Sequence, residues 1–315
     1  MELRNLGTSG LRVSLVGLGC NNFGWRIDVE ASRLVVHKAI DLGINLLDTA
    51  DMYGDGQSEE MLGQILGARR KDVVLATKFA GGFTGAVGGP FGSRGYIMSA
   101  VEASLKRLKT DWIDLYQYHW PDARTPMEES LRALDDLVRQ GKVRYLGLSN
   151  HPAWKVADAQ WLARHHNLNG FVSCQDEYSL LVRGVERELI PAMRAFGLGL
   201  LPYFPLAAGL LTGKYKQGAA LGADTRFASK RMGGLGNRYM TEANWPIVEK
   251  LEAFAMSHGH SILELAMGWF AANPVLSSVI AGATKPEQVE QNVNALAWTL
   301  SPDELAEIDK ITAKS

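Results

Sequence analysis

An α/β fold closed into a single (β/α)8 barrel, preceded by a short β-hairpin, is what this 315-residue sequence predicts. Three observations carry the prediction. Strand-like apolar runs alternate with helix-period segments along the whole chain. The runs are too continuous for burial on one face only, which is the mark of parallel strands covered on both sides. There are eight of them, over a length that suits one barrel of about 250 residues plus insertions.

The elements follow in order. Leu3-Arg4-Asn5 and Leu11-Arg12-Val13 flank a Gly7/Gly10 turn and predict the hairpin. The strand runs are 14–18, 45–48, 73–78, 112–119, 143–150, 171–175, 198–203 and 278–281. Between them, Asp28 is an N-cap ahead of a stripe of Ala31, Leu34, Val35 and Leu42 that stops at Gly43. Ile97, Val101, Leu105 and Leu108 form a second stripe. Thr125-Pro126-Met127-Glu128 reads as a capping box with proline at the first helical position, followed by Met127, Leu131, Leu134 and Val138 on one face. Ser301-Pro302-Asp303-Glu304 is a box of the same kind for a last helix. Two stretches break the rhythm: a glycine-rich segment, 81–95, and a long loop after strand 7, 207–240, carrying Lys214, Lys216, Arg226, Lys230, Arg231 and Arg238. No linker or shift in composition divides the chain, so residues 1–315 read as one TIM-barrel domain with its sites at the C-terminal strand ends.

Composition narrows the function. Hydrophobic residues make up 46% of the chain and the net charge is −1, so there is material for a core and no electrostatic footprint for nucleic acid or an acidic membrane. No stretch reaches the roughly 18 apolar residues of a membrane span, and no basic n-region with an apolar core opens the chain. Two cysteines, Cys20 and Cys174, are too few and too far apart for a disulfide framework. They read as reduced thiols of a soluble, cytoplasmic protein.

Several motifs resolve into ordinary structure. Gly17-Leu18-Gly19-Cys20-Asn21-Asn22 resembles the opening of a dinucleotide fingerprint, but its third position is asparagine and it does not open a helix, since Phe23-Gly24-Trp25 intervenes before the Asp28 N-cap. Segment 81–95 lacks the Gly-Lys-Ser/Thr ending of a P-loop. His165-His166 and His258-x-His260 have no carboxylate or cysteine at ligand spacing, so no metal is expected.

The chemistry concentrates in residues 45–59. The run Asn45-Leu46-Leu47 ends in Asp48, and a carboxylate at the end of a buried strand needs a partner or a shifted pKa. Lys78, ending the next run, is that partner. Tyr53 follows in a glycine-rich turn, and the run 112–118 delivers His119. Taken singly, these residues are an ion pair, a turn cap and a core histidine. Together at successive strand ends they suit carbonyl reduction, which needs a proton donor beside a hydride acceptor. An ordinary tyrosine pKa near 10 is too high for easy proton exchange near neutrality. Lys78 beside the phenol is expected to lower it, Asp48 to hold the lysine charged, and His119 to hydrogen-bond and orient the carbonyl.

At these residues the sequence resembles the aldo-keto reductase family. The match runs through Asp48-Thr49-Ala50, Tyr53-Gly54, Ser58-Glu59, Thr77-Lys78, segments 102–108 and 111–119, Gly147-Leu148-Ser149-Asn150 and Gly209-Leu210-Leu211-Thr212-Gly213. It covers almost the whole chain. The resemblance implies the barrel, the hairpin as a plug in its floor, and Asp48, Tyr53, Lys78 and His119 as a catalytic tetrad with Tyr53 as general acid. It also implies that Ser149, Asn150 and Gln175 hold a nicotinamide carboxamide. Tyr203, within the matching run that ends at Leu206, would stack on the ring. Gly282, Thr284, Lys285 and Gln288 would meet the far end of the cofactor, with Gln291 and Asn292 a turn on. A helix N-terminus with Lys285 suits a 2′-phosphate, so the cofactor implied is NADPH (NADP+). Well-known members often carry lysine at Gly282 and arginine at Gln288, and here the pattern departs.

Trp25, Phe79, Trp120 and Tyr178 follow strand ends and are candidates for the walls of a substrate pocket, Trp120 by its place next to His119. The reading is an NADPH-dependent reductase of aldehydes or ketones. Two others stay beside it: a nicotinamide-sensing regulatory subunit on the same barrel, and a lyase forming a Schiff base at Lys78.

Overall fold

The structure, a computed structural model, describes residues 1–81, 90–219, 227 and 234–313. Arg226, Lys230 and Arg231 lie outside them, as do parts of the glycine-rich segment and of the long loop.

The hairpin pairs β1 (Leu3–Asn5) with β2 (Arg12–Ser14). The barrel strands are β3 (Val16–Gly19), β4 (Leu46–Asp48), β5 (Val74–Phe79), β6 (Ile113–Tyr118), β7 (Val143–Ser149), β8 (Phe171–Gln175), β9 (Gly199–Leu200) and β10 (Val279–Gly282). They form one eight-stranded sheet in the order β10-β3-β4-β5-β6-β7-β8-β9, all pairs parallel. Hydrogen bonds from Leu200 to Val275 (2.9 Å), Ser277 to Leu200 (3.0 Å) and Ile280 to Pro202 (3.0 Å) bring its two edges together. The fold is the predicted (β/α)8 barrel with its hairpin.

Boundaries move for identifiable reasons. Ser14 pairs with Leu3 in the hairpin, so the first barrel strand starts later than the apolar run. The run at 198–203 yields a strand of only two residues; Pro202 has no N–H to continue the ladder, and Tyr203 makes an isolated bridge to Glu177.

Helices α1 (Val29–Asp41), α2 (Gln57–Leu66), α3 (Arg94–Leu108), α4 (Met127–Arg139), α5 (Ala153–His165) and α6 (Leu189–Phe196) lie between strands. After the last turn of the long loop, α7 (Gly234–Tyr239), come α8 (Trp245–Ser257), α9 (Ile262–Ala271), α10 (Pro286–Asn294) and α11 (Pro302–Thr312). Asp28 caps α1 by accepting from the Ala31 N–H, and Ser301 and Glu304 complete the predicted box on α11. Ile97, Val101, Leu105 and Leu108 are all buried.

Two helix details are corrected. The inner face of α1 is Ser32, Val35, Val36 and Ala39, while Leu34 is 61% exposed; the adjacent valines set the face, and Leu34 falls on the far side. Thr125 does not cap α4. Its hydroxyl bonds Asp122 at 2.9 Å instead, and Pro126 takes the N-cap position with no side-chain bond.

The hairpin sits under the barrel. Leu6 and Val13 join Leu46, Val74, Ala76, Leu115, Leu201 and Ile280 in an inner apolar cluster below the mouth. Gly7, at φ +60°, touches the barrel floor so closely that a Cβ would lie 2.4 Å from the Gly197 carbonyl. No helix among the described residues is long and apolar enough to cross a membrane.

Candidate active site

Registration of the parallel strands sets what points inward. Lys78 pairs with Gln117, and Gln117 with Gly147, so these positions share the inner face. Their neighbours Phe79, Tyr116 and Tyr118 face out towards the helices, where Phe79 stacks on both tyrosines with centroids 4.8 Å apart. Phe79 is therefore core and no pocket wall. Tyr178 is also buried, packed on Trp269 and Phe270 with its hydroxyl on Glu186.

At the C-terminal mouth Asp48 closes β4, Lys78 stands one residue from the end of β5, and His119 follows β6. Tyr53 begins a 3-10 turn through Gly54, Asp55 and Gly56, all at positive φ. Gly54 is needed there, since a Cβ would stand 2.7 Å from the Phe23 carbonyl. Thr49 and Ser58 hydroxyls bond at 2.8 Å, and Ser58 reaches the Cys20 carbonyl at 2.9 Å, tying the turn to β3.

The Lys78 ammonium is fully buried and donates to three acceptors: Asp48 Oδ2 at 2.7 Å, the Thr49 carbonyl at 2.7 Å and Tyr53 Oη at 3.3 Å. The other Asp48 oxygen accepts from the amides of Gln117 (3.0 Å) and Gln175 (2.8 Å). The His119 ring meets the Tyr53 ring edge-on, centroids 6.2 Å apart. Its Nδ1 is buried and has no hydrogen-bond partner among the described residues. Trp120 stacks on His119 at 5.8 Å and is 49% exposed.

Electrostatics differ from expectation at one point. Burial pushes the Tyr53 phenol above its ordinary pKa of 10.0 and outweighs the downward pull of Lys78. The sequence contains the charge that would lower it, but not the depth of the burial that opposes it. For Lys78, burial favours the neutral amine, yet Asp48 and Tyr53 together raise its pKa. Burial, with Lys78 nearby, holds His119 well below the usual histidine range, so it is neutral and has one N–H to give. Behind the turn, Glu59 is buried on Arg107 (2.6 Å) and Thr77 (2.5 Å). Burial and the Glu59 charge push the Asp51 carboxyl up to about 7.

The polar groups expected around a nicotinamide form one network. Asn150, in the left-handed region at φ +60°, donates to the His119 carbonyl and to Ser149 Oγ, both at 3.0 Å. Tyr203 Oη donates to Asn150 Oδ1 at 2.8 Å. Gln175 spends its N–H on Asp48. Uncharged amides, a hydroxyl and a phenol ring are a donor set that fits a carboxamide on a flat ring. Leu206 leads from β9 into the long loop. Beyond β10, Thr284 donates from N (2.8 Å) and Oγ1 (3.2 Å) to Gln288 Oε1. Gln288 is thus folded back on the N-terminus of α10, where Lys285 is the exposed N-cap residue. Gly282 and Gln291 are exposed and Asn292 is buried. Trp25, half-buried, bonds the Asn21 carbonyl.

Gln117 is the site residue that sequence reasoning missed. Its signal was its inward parity with Lys78, two residues ahead of His119.

The C-terminal mouth of a parallel β/α barrel thus gathers a buried Lys-Asp pair, a tyrosine and a histidine. Residues 15–313 match the Aldo/keto reductase family, and the chain belongs to it. Among its relatives is a protein of Oryza sativa subsp. japonica named as a probable voltage-gated potassium channel subunit beta. It is 40% identical over 301 residues, 94% of this chain and 91% of the relative. The uncharacterized oxidoreductase YrpG of Bacillus subtilis is 36% identical, covering 99% of this chain and 96% of its own. The L-glyceraldehyde 3-phosphate reductase of Escherichia coli K12 is 34% identical, covering 98% and 92%.

Proposed function

We propose that the chain is an NADPH-dependent carbonyl reductase that interconverts an aldehyde or ketone with its alcohol. The observation that carries this reading is the buried Lys78 ammonium shared between Asp48 and the Tyr53 phenol, with neutral His119 against the same ring. The nicotinamide, when bound, would supply the hydride for the carbonyl carbon.

Tyr53 gives its proton to the carbonyl oxygen, and burial keeps the phenol protonated and ready to do so. Lys78, 3.3 Å away, stabilises the phenolate as it forms. Asp48 and the Thr49 carbonyl fix the lysine in place. His119 donates its N–H to the same carbonyl oxygen and sets the approach angle. Ser149, Asn150 and Gln175 would hold the carboxamide, Tyr203 the ring, and Leu206 its rim. Gly282, Thr284, Lys285 and Gln288, with Gln291 and Asn292, would take the adenosine end, Lys285 meeting the 2′-phosphate. Trp25 and Trp120 would flank the substrate. Free, buried Cys20 and Cys174 suit a reducing cytoplasm.

The relatives named as channel β-subunits favour a second reading, a regulatory subunit that senses its nicotinamide. A Schiff-base lyase fares worse, because the raised pKa of Lys78 keeps the amine protonated and non-nucleophilic.

The test follows absorbance of NADPH, and separately NADH, against a panel of small aldehydes, sugars and ketones, with Tyr53→Phe as control. Rapid NADPH oxidation lost in Tyr53→Phe supports the reductase. Very slow turnover across the panel with tightly retained cofactor would transfer the reading to the regulatory subunit.

A further inference from the structure

We infer that Gln117 is a positioning residue of the site: its amide, with that of Gln175, holds one oxygen of Asp48 so that the other stays on Lys78. The inference rests on the reductase reading for its kinetic consequence and on geometry for the rest.

Gln117 and Lys78 are fully buried, and Asp48 and Gln175 are 2% exposed. An uncharged amide in that setting is costly unless its N–H groups are used. The N–H it uses goes to Asp48 Oδ1 at 3.0 Å. Gln175 reaches the same oxygen from β8 at 2.8 Å, and its N–H also points at Gln117 Oε1, 3.4 Å away. Asp48 is thus gripped on one oxygen by two neutral donors and on the other by one cation. Among the described residues neither glutamine hydrogen-bonds Tyr53, so both act on the phenol through Asp48 and Lys78.

The intervening strand makes room for this arrangement. Gly147 pairs with Gln117 on one side and with Ser173 on the other. A Cβ on Gly147 would lie 3.0 Å from Gln117 Cγ and 2.7 Å from Ser173 Oγ. Strand β7 therefore contributes no side chain at this level, and Gln117 occupies the space. Lower in β6, the inward position is Leu115, part of the apolar cluster. The switch from leucine to glutamine occurs at the height of Asp48.

The test uses kcat against pH in the full chain for three variants. Gln117→Met removes the donor at similar volume and is expected to lower kcat about 10- to 100-fold with little change in KM, by the same factor at every pH. Gln117→Glu sets a carboxylate beside Asp48, and kcat should recover as falling pH protonates the introduced carboxyl and lets it donate. For Gln117→Glu, packing alone would give a ratio to the parent that does not vary with pH, and that result overturns the inference. Gly147→Ala leaves every polar group in place and should lower kcat severalfold by displacing Gln117. A parent-like kcat with Gln117 displaced in its crystal structure also overturns it. If the parent chain turns over no carbonyl, the reductase reading fails, and crystal structures of Gln117→Glu at high and low pH decide the holding role. An Asp48–Lys78 contact broken at high pH and restored at low pH supports it; an unchanged contact at both overturns it.

Discussion

The ammonium of Lys78 lies 3.3 Å from the phenol oxygen of Tyr53 and 4.8 Å from the centre of its ring. One cation thus faces both the hydroxyl and the ring of the same phenol. Burial still dominates, and the phenol titrates above its ordinary value. A difference titration of the ligand-free protein against Tyr53→Phe should therefore show the phenolate band only above about pH 10. The same substitution should cut carbonyl reduction by about 100-fold or more and leave nicotinamide binding intact. Phenolate absorbance from Tyr53 near neutrality would contradict the assignment of burial as the stronger effect.

The buried pair predicts a stability cycle. Lys78→Met leaves the Asp48 carboxylate among two amides with no counter-charge, at a cost of about 3–5 kcal/mol in urea unfolding. Asp48→Asn combined with Lys78→Met removes both charges, and most of that loss should return. Additive losses in the double variant would mean that the two charges do not act as a pair.

The strands were readable because a parallel strand covered on both sides must be apolar throughout, and 73–78 or 112–118 can hardly be anything else. The same continuity conceals which residues face the barrel axis. Phe79 and Tyr178 follow or lie near strand ends just as Trp120 does, yet they pack outward into the core. Gln117 reads as a polar break in an apolar run until its register with Lys78 is known. Capping signals were readable where the box is closed by its own residues, as at Ser301, and misleading at Thr125, where Asp122 takes the hydroxyl first. Asp48, Tyr53, Lys78 and His119 were legible as a group because each carries a charge or a proton to a place where an apolar run stops.

Asp51 predicts a pH dependence of stability. Its carboxyl, 3% exposed, is pushed up to about 7 in the fold by burial and by Glu59. In the unfolded chain it titrates near 4. Between about pH 4 and 7 the folded protein keeps a proton that the unfolded chain has lost, so stability falls as pH rises through that window. Asp51→Asn removes this pH dependence. Its unfolding free energy relative to the parent should be higher at pH 8 than at pH 5 by about 2–4 kcal/mol, measured in denaturant at both values. A difference independent of pH would place the Asp51 titration elsewhere.

On the proposed reading, cofactor choice turns on the first turn of α10. Lys285 is exposed at its N-cap position without a capping bond, and Glu287 stands in the same turn with the opposite charge. The N–H groups and the lysine favour an anion there, while the glutamate opposes it. Lys285→Ala should weaken NADPH binding about 10-fold, the effect of one charge on a phosphate, and NADH binding less than about 2-fold. Glu287→Gln should tighten NADPH and leave NADH unchanged. Both differences should shrink as salt rises, because the groups are exposed and screened. Titration of nicotinamide binding at low and high salt checks all three statements. Equal losses for the two cofactors in Lys285→Ala would mean that Lys285 does not read the 2′-phosphate.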